Sequence, residues 1–115
     1  MKDSFAETKP FQVKPEKTKQ FETLVERMSA EQAKWEGCVS IRYLKRSYTM
    51  DGIELGEPPR ELAKVVKCVK YYSYWEFDSK ENYGKAIKRF FDCYNKDLQK
   101  LLIAPFGINL GYTLR

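Results

Sequence analysis

Apolar and polar residues alternate with a period of two from Phe5 to Val13, where Phe5, Glu7, Lys9, Phe11 and Val13 share one face. That spacing predicts a first strand, and Pro10 places it at an edge or beside a bulge because proline has no N–H to donate. Lys14-Pro15-Glu16-Lys17 then opens a helix, with proline at its first position and acid in its first turn. Phe21, Leu24, Val25, Met28, Gln32 and Trp35 follow at three- and four-residue spacing. This is the buried stripe of an amphipathic helix of about five turns, which Gly37 ends. Period two returns over Cys38–Arg46, with Val39, Ile41 and Tyr43 on one face and Ser40, Arg42, Leu44 and Arg46 on the other.

Residues 47–62 keep no period. Asp51-Gly52 signals a turn, and Glu57-Pro58-Pro59 cannot enter a sheet interior. The stretch is expected to be a mobile hairpin connection, serving as a lid or interface arm or simply as a tolerated insertion. Lys64–Phe77 is the most strand-like run. Val65, Lys67, Val69, Tyr71, Ser73, Trp75 and Phe77 share one face; Val66, Cys68, Lys70, Tyr72, Tyr74 and Glu76 share the other. Both faces carry apolar groups, so both are expected to be covered.

Asp78-Ser79 offers a helix N-cap, and Asp78 with Glu81 has the spacing of a capping box. Tyr83, Ala86, Ile87, Phe90, Phe91, Tyr94, Leu98, Leu101 and Leu102 hold helical spacing to about Ile103, with Asn95 a point where the helix could divide. Ala104-Pro105-Phe106-Gly107 terminates it, and Ile108–Leu114 is the closing strand, with Ile108, Leu110, Tyr112 and Leu114 on one face.

Strand, helix, strand, strand, helix, strand is the split βαβ order. It predicts an α+β, ferredoxin-like βαββαβ fold with an antiparallel sheet and both helices on one side. The 115 residues make one domain, 1–115. A chain this short buries only about two-thirds of its unfolded surface. The apolar residues on the uncovered sheet face therefore predict a homodimer paired face to face, a dimeric α+β barrel.

Composition narrows the function. Hydrophobic content of 43% and charged content of 32% suit a soluble globular protein. No apolar run nears the ~20 residues of a membrane span, and no apolar segment follows Met1-Lys2-Asp3-Ser4 as in a signal peptide, so a cytoplasmic location is expected. The net charge of +5 is spread over every segment, which argues for a solvated surface and against nucleic-acid binding. Cys38, Cys68 and Cys93 are scattered and odd in number, the pattern of buried reduced thiols. The chain has 0 histidines, which removes histidine as general base, haem ligand or zinc ligand. No metal site and no cofactor is expected.

Trp35-Glu36-Gly37-Cys38-Val39-Ser40 resembles the helix-to-strand junction of the antibiotic biosynthesis monooxygenase-like family. Tyr74-Trp75-Glu76-Phe77-Asp78-Ser79-Lys80-Glu81-Asn82-Tyr83 resembles that family's aromatic strand end and the capped helix after it. The resemblance implies a homodimer with a pocket between sheet and helices that holds an aromatic polyketide, a quinol or haem in enzymatic members. Trp75 matches the pocket tryptophan. The histidine of haem-degrading members and the strand-one asparagine of oxygenating members have no counterparts here.

The expected function is that of a small cytoplasmic protein acting on an aromatic or quinol-type small molecule without cofactor. The alternative is a non-catalytic dimeric module that binds a ligand or a protein. Candidate pocket residues are Trp75, Tyr43, Tyr71, Tyr72, Tyr74, Trp35, Arg42 and Asn109. Trp75 and Tyr43 would stack on a ligand, Tyr72 or Tyr74 would donate a proton, and Arg42 or Asn109 would polarise an oxygen. Strand alternation divides them: Trp75, Tyr71 and Ser73 on one side, Tyr72 and Tyr74 on the other. Packing in a core or a subunit interface is the favoured account of each aromatic.

Overall fold

The computed structural model describes residues 4–63 and 67–115, so the expected strand start at Lys64, Val65 and Val66 lies outside the described residues. The elements are β1 (Phe5–Val13), α1 (Thr18–Gln32), β2 (Cys38–Lys45), β3 (Tyr48–Thr49), β4 (Arg60–Glu61), β5 (Val69–Phe77), α2 (Lys80–Leu101) and β6 (Asn109–Tyr112). The main sheet is antiparallel in the order β2-β5-β1-β6, the ferredoxin-like arrangement. Both helices cover the same face, because residues of α1 and α2 share one buried cluster with alternate residues of β1 and β5.

β1 sits between β5 and β6, which at first conflicts with Pro10. The register resolves this. β6 pairs with β1 only over Phe5–Thr8, and the chain just after α2 meets β1 at its far end, where Leu102 bridges to Val13 and the Ile103 N–H donates to the Gln12 carbonyl. Pro10 occupies the gap between them, a free edge on that side, as its missing donor requires.

A bulge between Cys38 and Ser40 corrects the expected faces of β2. Val39 is the extra residue and is exposed, while Cys38, Ile41 and Tyr43 pack against the core. Just before it, Gly37 has φ +86°. A Cβ there would come within 2.6 Å of the Asn82 and Asp78 side chains, so glycine is required both for the backbone and for the close approach to the start of α2.

α1 follows a 3-10 turn at Pro15–Lys17 and ends at Gln32. Trp35 therefore belongs to the turn that follows the helix, not to the helix itself. α2 runs unbroken for 22 residues through Asn95, because Phe90, Tyr94, Leu98 and Leu101 keep its buried stripe continuous. Its N-cap is Ser79, whose side chain accepts from the Asn82 N–H at 3.1 Å; Asp78 instead binds the Asn82 side chain at 3.0 Å.

β6 is shorter than expected. Its register places Leu110 and Tyr112 on the helix side, yet both are exposed because the helices do not reach that edge. Ile108 and Leu114 fall outside the strand. The 47–62 segment forms a small ribbon of β3 against β4. Cys93 is exposed rather than buried, while Cys38 and Cys68 are half-buried; all three are free thiols. Among the described residues no helix is long and apolar enough to cross a membrane.

Candidate functional site

The core face of the sheet is interrupted by a polar patch two rungs deep. Across one rung stand Tyr43 of β2, Ser73 of β5 and Lys9 of β1. Across the next stand Ile41, Trp75, Glu7 and Leu110. Glu7 and Lys9 are 0% and 1% exposed, beneath α2. Residues two apart on a strand point the same way, so the two side chains lie beside each other and pair. The Lys9 ammonium contacts Glu7 Oε1, and the Tyr83 hydroxyl of α2 donates to Glu7 Oε2. Lys9 Nζ also lies 4.1 Å from the Phe90 ring centre and 4.8 Å from that of Trp75. At the far side of the patch the Tyr43 hydroxyl donates to Gln32 Oε1 at 2.6 Å.

Three buried polar atoms here have no hydrogen-bond partner among the described residues: Gln32 Nε2, Ser73 Oγ and Trp75 Nε1. The Cys38 thiol lies beside the Trp75 indole N–H, but sulfur is a weak acceptor and the contact falls short of hydrogen-bond geometry. Each orphaned group costs on the order of 1–3 kcal/mol.

Burial sets the protonation of the patch. It pulls the Lys9 ammonium below its ordinary range, an effect that the opposing Glu7 charge does not cancel. It pushes the Tyr43 and Tyr83 phenols far up, with the Glu7 charge adding to the rise. Tyr71, donating to Glu22, and Tyr94, donating to Glu31, are raised by burial in the same direction. A phenol that stays protonated in the fold but ionises near 10.0 when unfolded contributes stability below that pH and loses it above. Stability is therefore expected to fall as pH rises past 10.0, with these tyrosines ionising only on unfolding. Tyrosinate absorbance followed alongside circular dichroism checks this, and free titration in the folded protein would contradict it.

The structure separates the sequence-derived candidates. Trp75, Tyr43, Tyr71 and Trp35 lie on the helix side. Tyr72, Tyr74, Arg42 and Asn109 lie on the open side, where Tyr74 and Asn109 line one hollow of about 460 Å³ with Thr8 and Thr113. No single pocket can use all eight. Trp75 is fully buried between Trp35, Phe77, Tyr83 and Phe90. Trp35 stacks on Tyr94 at 6.0 Å and lies under the Arg89 guanidinium. It also lines an outer depression of about 210 Å³ with Glu36, Asn82, Lys85, Ala86 and Arg89. Glu7, Lys9, Ser73, Gln32 and Tyr83 were not among the candidates. Their signal was a Glu-x-Lys pair in register with Phe5, Phe11 and Val13.

No protein-family model and no curated protein matches this chain. Solved structures do. A Nitrosomonas europaea protein provisionally described as an antibiotic biosynthesis monooxygenase superposes with a TM-score of 0.73 at 10% identity, over 99% of this chain and 93% of that one. A variant of SnoaB, a cofactor-independent oxygenase from Streptomyces nogalater, gives 0.68 at 18% identity over 98% and 95%. A dimeric ferredoxin-like protein from an uncultured marine organism gives 0.67 at 10% over 99% and 98%. Identities this low carry architecture alone, and over nearly its whole length this chain has the fold of the antibiotic biosynthesis monooxygenase-like proteins.

Proposed function

We propose that this protein acts on a small aromatic or quinol-type molecule without a cofactor, in the space between sheet and helices, as a homodimer. The observation that carries the reading is the buried polar patch around Glu7 and Lys9, with its orphaned Ser73, Gln32 and Trp75 atoms. An ion pair in an otherwise aromatic core is a poor stability device, since well-packed apolar residues usually serve as well or better. Unpaired polar groups add to that penalty. Polar atoms retained at such a cost support a site that meets a ligand or bound water. The fold likeness to a cofactor-independent oxygenase agrees in kind.

The dimer is supported by the open sheet face, where Leu44 and Tyr72 are exposed beside Tyr74 and Pro10. Light scattering is expected to give the mass of a dimer; a monomer would sink this part and leave the sheet face open to other partners.

Oxygen uptake measured with a panel of hydroquinones and anthrones, in metal-chelated buffer, is expected to exceed the uncatalysed rate. Uptake at the background rate with every member of the panel removes the enzymatic reading. The full burial of Trp75 favours a second reading, a dimeric binding module. It predicts ligands that raise the melting temperature with no oxygen consumed.

A further inference from the structure

We propose that the ribbon of residues 47–62 is an acidic clasp for a second copy of this chain, and that it settles on the basic end of that copy's open sheet face, around Arg46 and Lys70. The inference rests on the homodimer reading and names the contact that lets two like-charged faces meet.

Residues 47–62 carry four carboxylates, Asp51, Glu54, Glu57 and Glu61, against the single cation Arg60, on a chain whose net charge is +5. β3 and β4 form this ribbon apart from the main sheet. No residue of the segment is buried, and none of its apolar side chains packs against the core. Leu55, between Glu54 and Glu57, is 89% exposed. A two-stranded ribbon is marginal by itself in water, so it gains from a surface to lie on. The radius of gyration of 15.7 Å exceeds the roughly 13 Å expected of a compact chain this size, as a projecting arm requires.

The open sheet face carries the opposite sign. The register sets Arg42 across from Tyr74 and Leu44 across from Tyr72, and Lys70 follows on the same face of β5. Arg46 stands beside Lys70, whose carbonyl accepts the Arg46 N–H at 2.9 Å. Arg42, Arg46 and Lys70 are exposed, and none is in an ion pair among the described residues. Leu44 and Tyr72 stand exposed among these cations. Glu76, a carboxylate on the same face, lies at the far end from Lys70, where it accepts from Ser4 and Tyr74.

Two such faces brought together set cations against cations, which opposes association. The ribbon supplies the counter-charge. Its carboxylates are in no ion pair among the described residues. Leu55 lies between acids, and Leu44 and Tyr72 lie among cations, so apolar groups meet where opposite charges meet. By two-fold symmetry each copy gives one ribbon and receives one, so the contact is made twice and closes on two chains.

Sedimentation of the full chain over a concentration series tests this. Glu54→Lys with Glu57→Lys should weaken the dimer about ten- to a hundredfold, because exposed charge contacts are lost at both ribbons and turned repulsive. Arg46→Glu with Lys70→Glu should weaken it as much. All four substitutions together exchange the two signs and should restore the dissociation constant to within about threefold of wild type, a recovery that misfolding cannot produce. A dimer unmoved by Glu54→Lys with Glu57→Lys, as a ribbon lying on its own sheet would give, overturns the clasp and leaves the sheet-to-sheet dimer standing. A four-substitution protein no tighter than either pair alone does the same. A wild-type monomer at every concentration overturns clasp and dimer together and opens the basic end of the sheet to an acidic partner of another kind.

Discussion

Glu7→Gln is expected to lower stability by about 3–5 kcal/mol, the range found when one partner of a buried ion pair is removed. That is a large part of the 5–15 kcal/mol that holds a typical domain together. The cause is not the lost attraction alone. Lys9 would remain under α2 with its charge desolvated and unopposed. It would relax by giving up its proton, so the deficit should shrink as pH rises. Tyr83 would keep an acceptor in the glutamine amide oxygen, which keeps the change focused on Lys9. Glu7→Leu combined with Lys9→Met should return to wild-type stability or exceed it, because no charge is left to strand. Urea unfolding of the single and double variants measures both effects. A Glu7→Gln protein as stable as wild type would mean that Lys9 is not stranded by the change, and a double variant well below wild type would mean that the pair serves the fold.

Trp75→Ala is expected to cost about 3–5 kcal/mol, the range for removing a large aromatic from a packed core. Trp75 is completely buried, and four aromatic rings surround it. It pairs across the sheet with Ile41 on one side and Glu7 on the other, so it packs the centre of the core face. Truncation leaves a cavity walled by Trp35, Phe77, Tyr83 and Phe90. Such a cavity takes up an aromatic guest, and added indole should raise the melting temperature of the variant while leaving wild type unchanged. Trp35→Ala, at a half-exposed position, should cost clearly less. Equal losses at the two tryptophans would place the organising contact elsewhere. Calorimetry of both variants with and without indole separates these outcomes.

Periodicity made the fold legible. The alternation in β5 divided Tyr71, Ser73 and Trp75 from Tyr72 and Tyr74, and the sheet places them on opposite faces. Spacing along α2 selected Tyr83, Ala86, Phe90, Tyr94 and Leu98, all buried. What escaped were departures of a single residue. The bulge at Val39 shifts one position of β2 to the other face, and local pattern carries no mark of it because Cys38 and Val39 are both acceptable in a core. The helix ends fell short for a related reason: Trp35 keeps helical spacing but follows the last turn of α1. The site was harder still. Pattern showed that Glu7 and Lys9 share a face with Phe11 and Val13. It could not show that this face is buried beneath α2, because that depends on how far the helix extends across the sheet. A charged pair two residues apart reads equally well as a solvated edge.

The Val39 bulge also decides how this protein can associate. β2 is an edge strand, and an edge with a regular row of free N–H and C=O groups invites a further strand to pair with it. An inserted residue breaks that row and twists the strand, so a neighbouring chain finds no continuous ladder to extend. Protection of that margin disfavours open-ended, ribbon-like growth into aggregates. The opposite margin, β6, spans only 4 residues, so it too offers a neighbouring chain little ladder to extend.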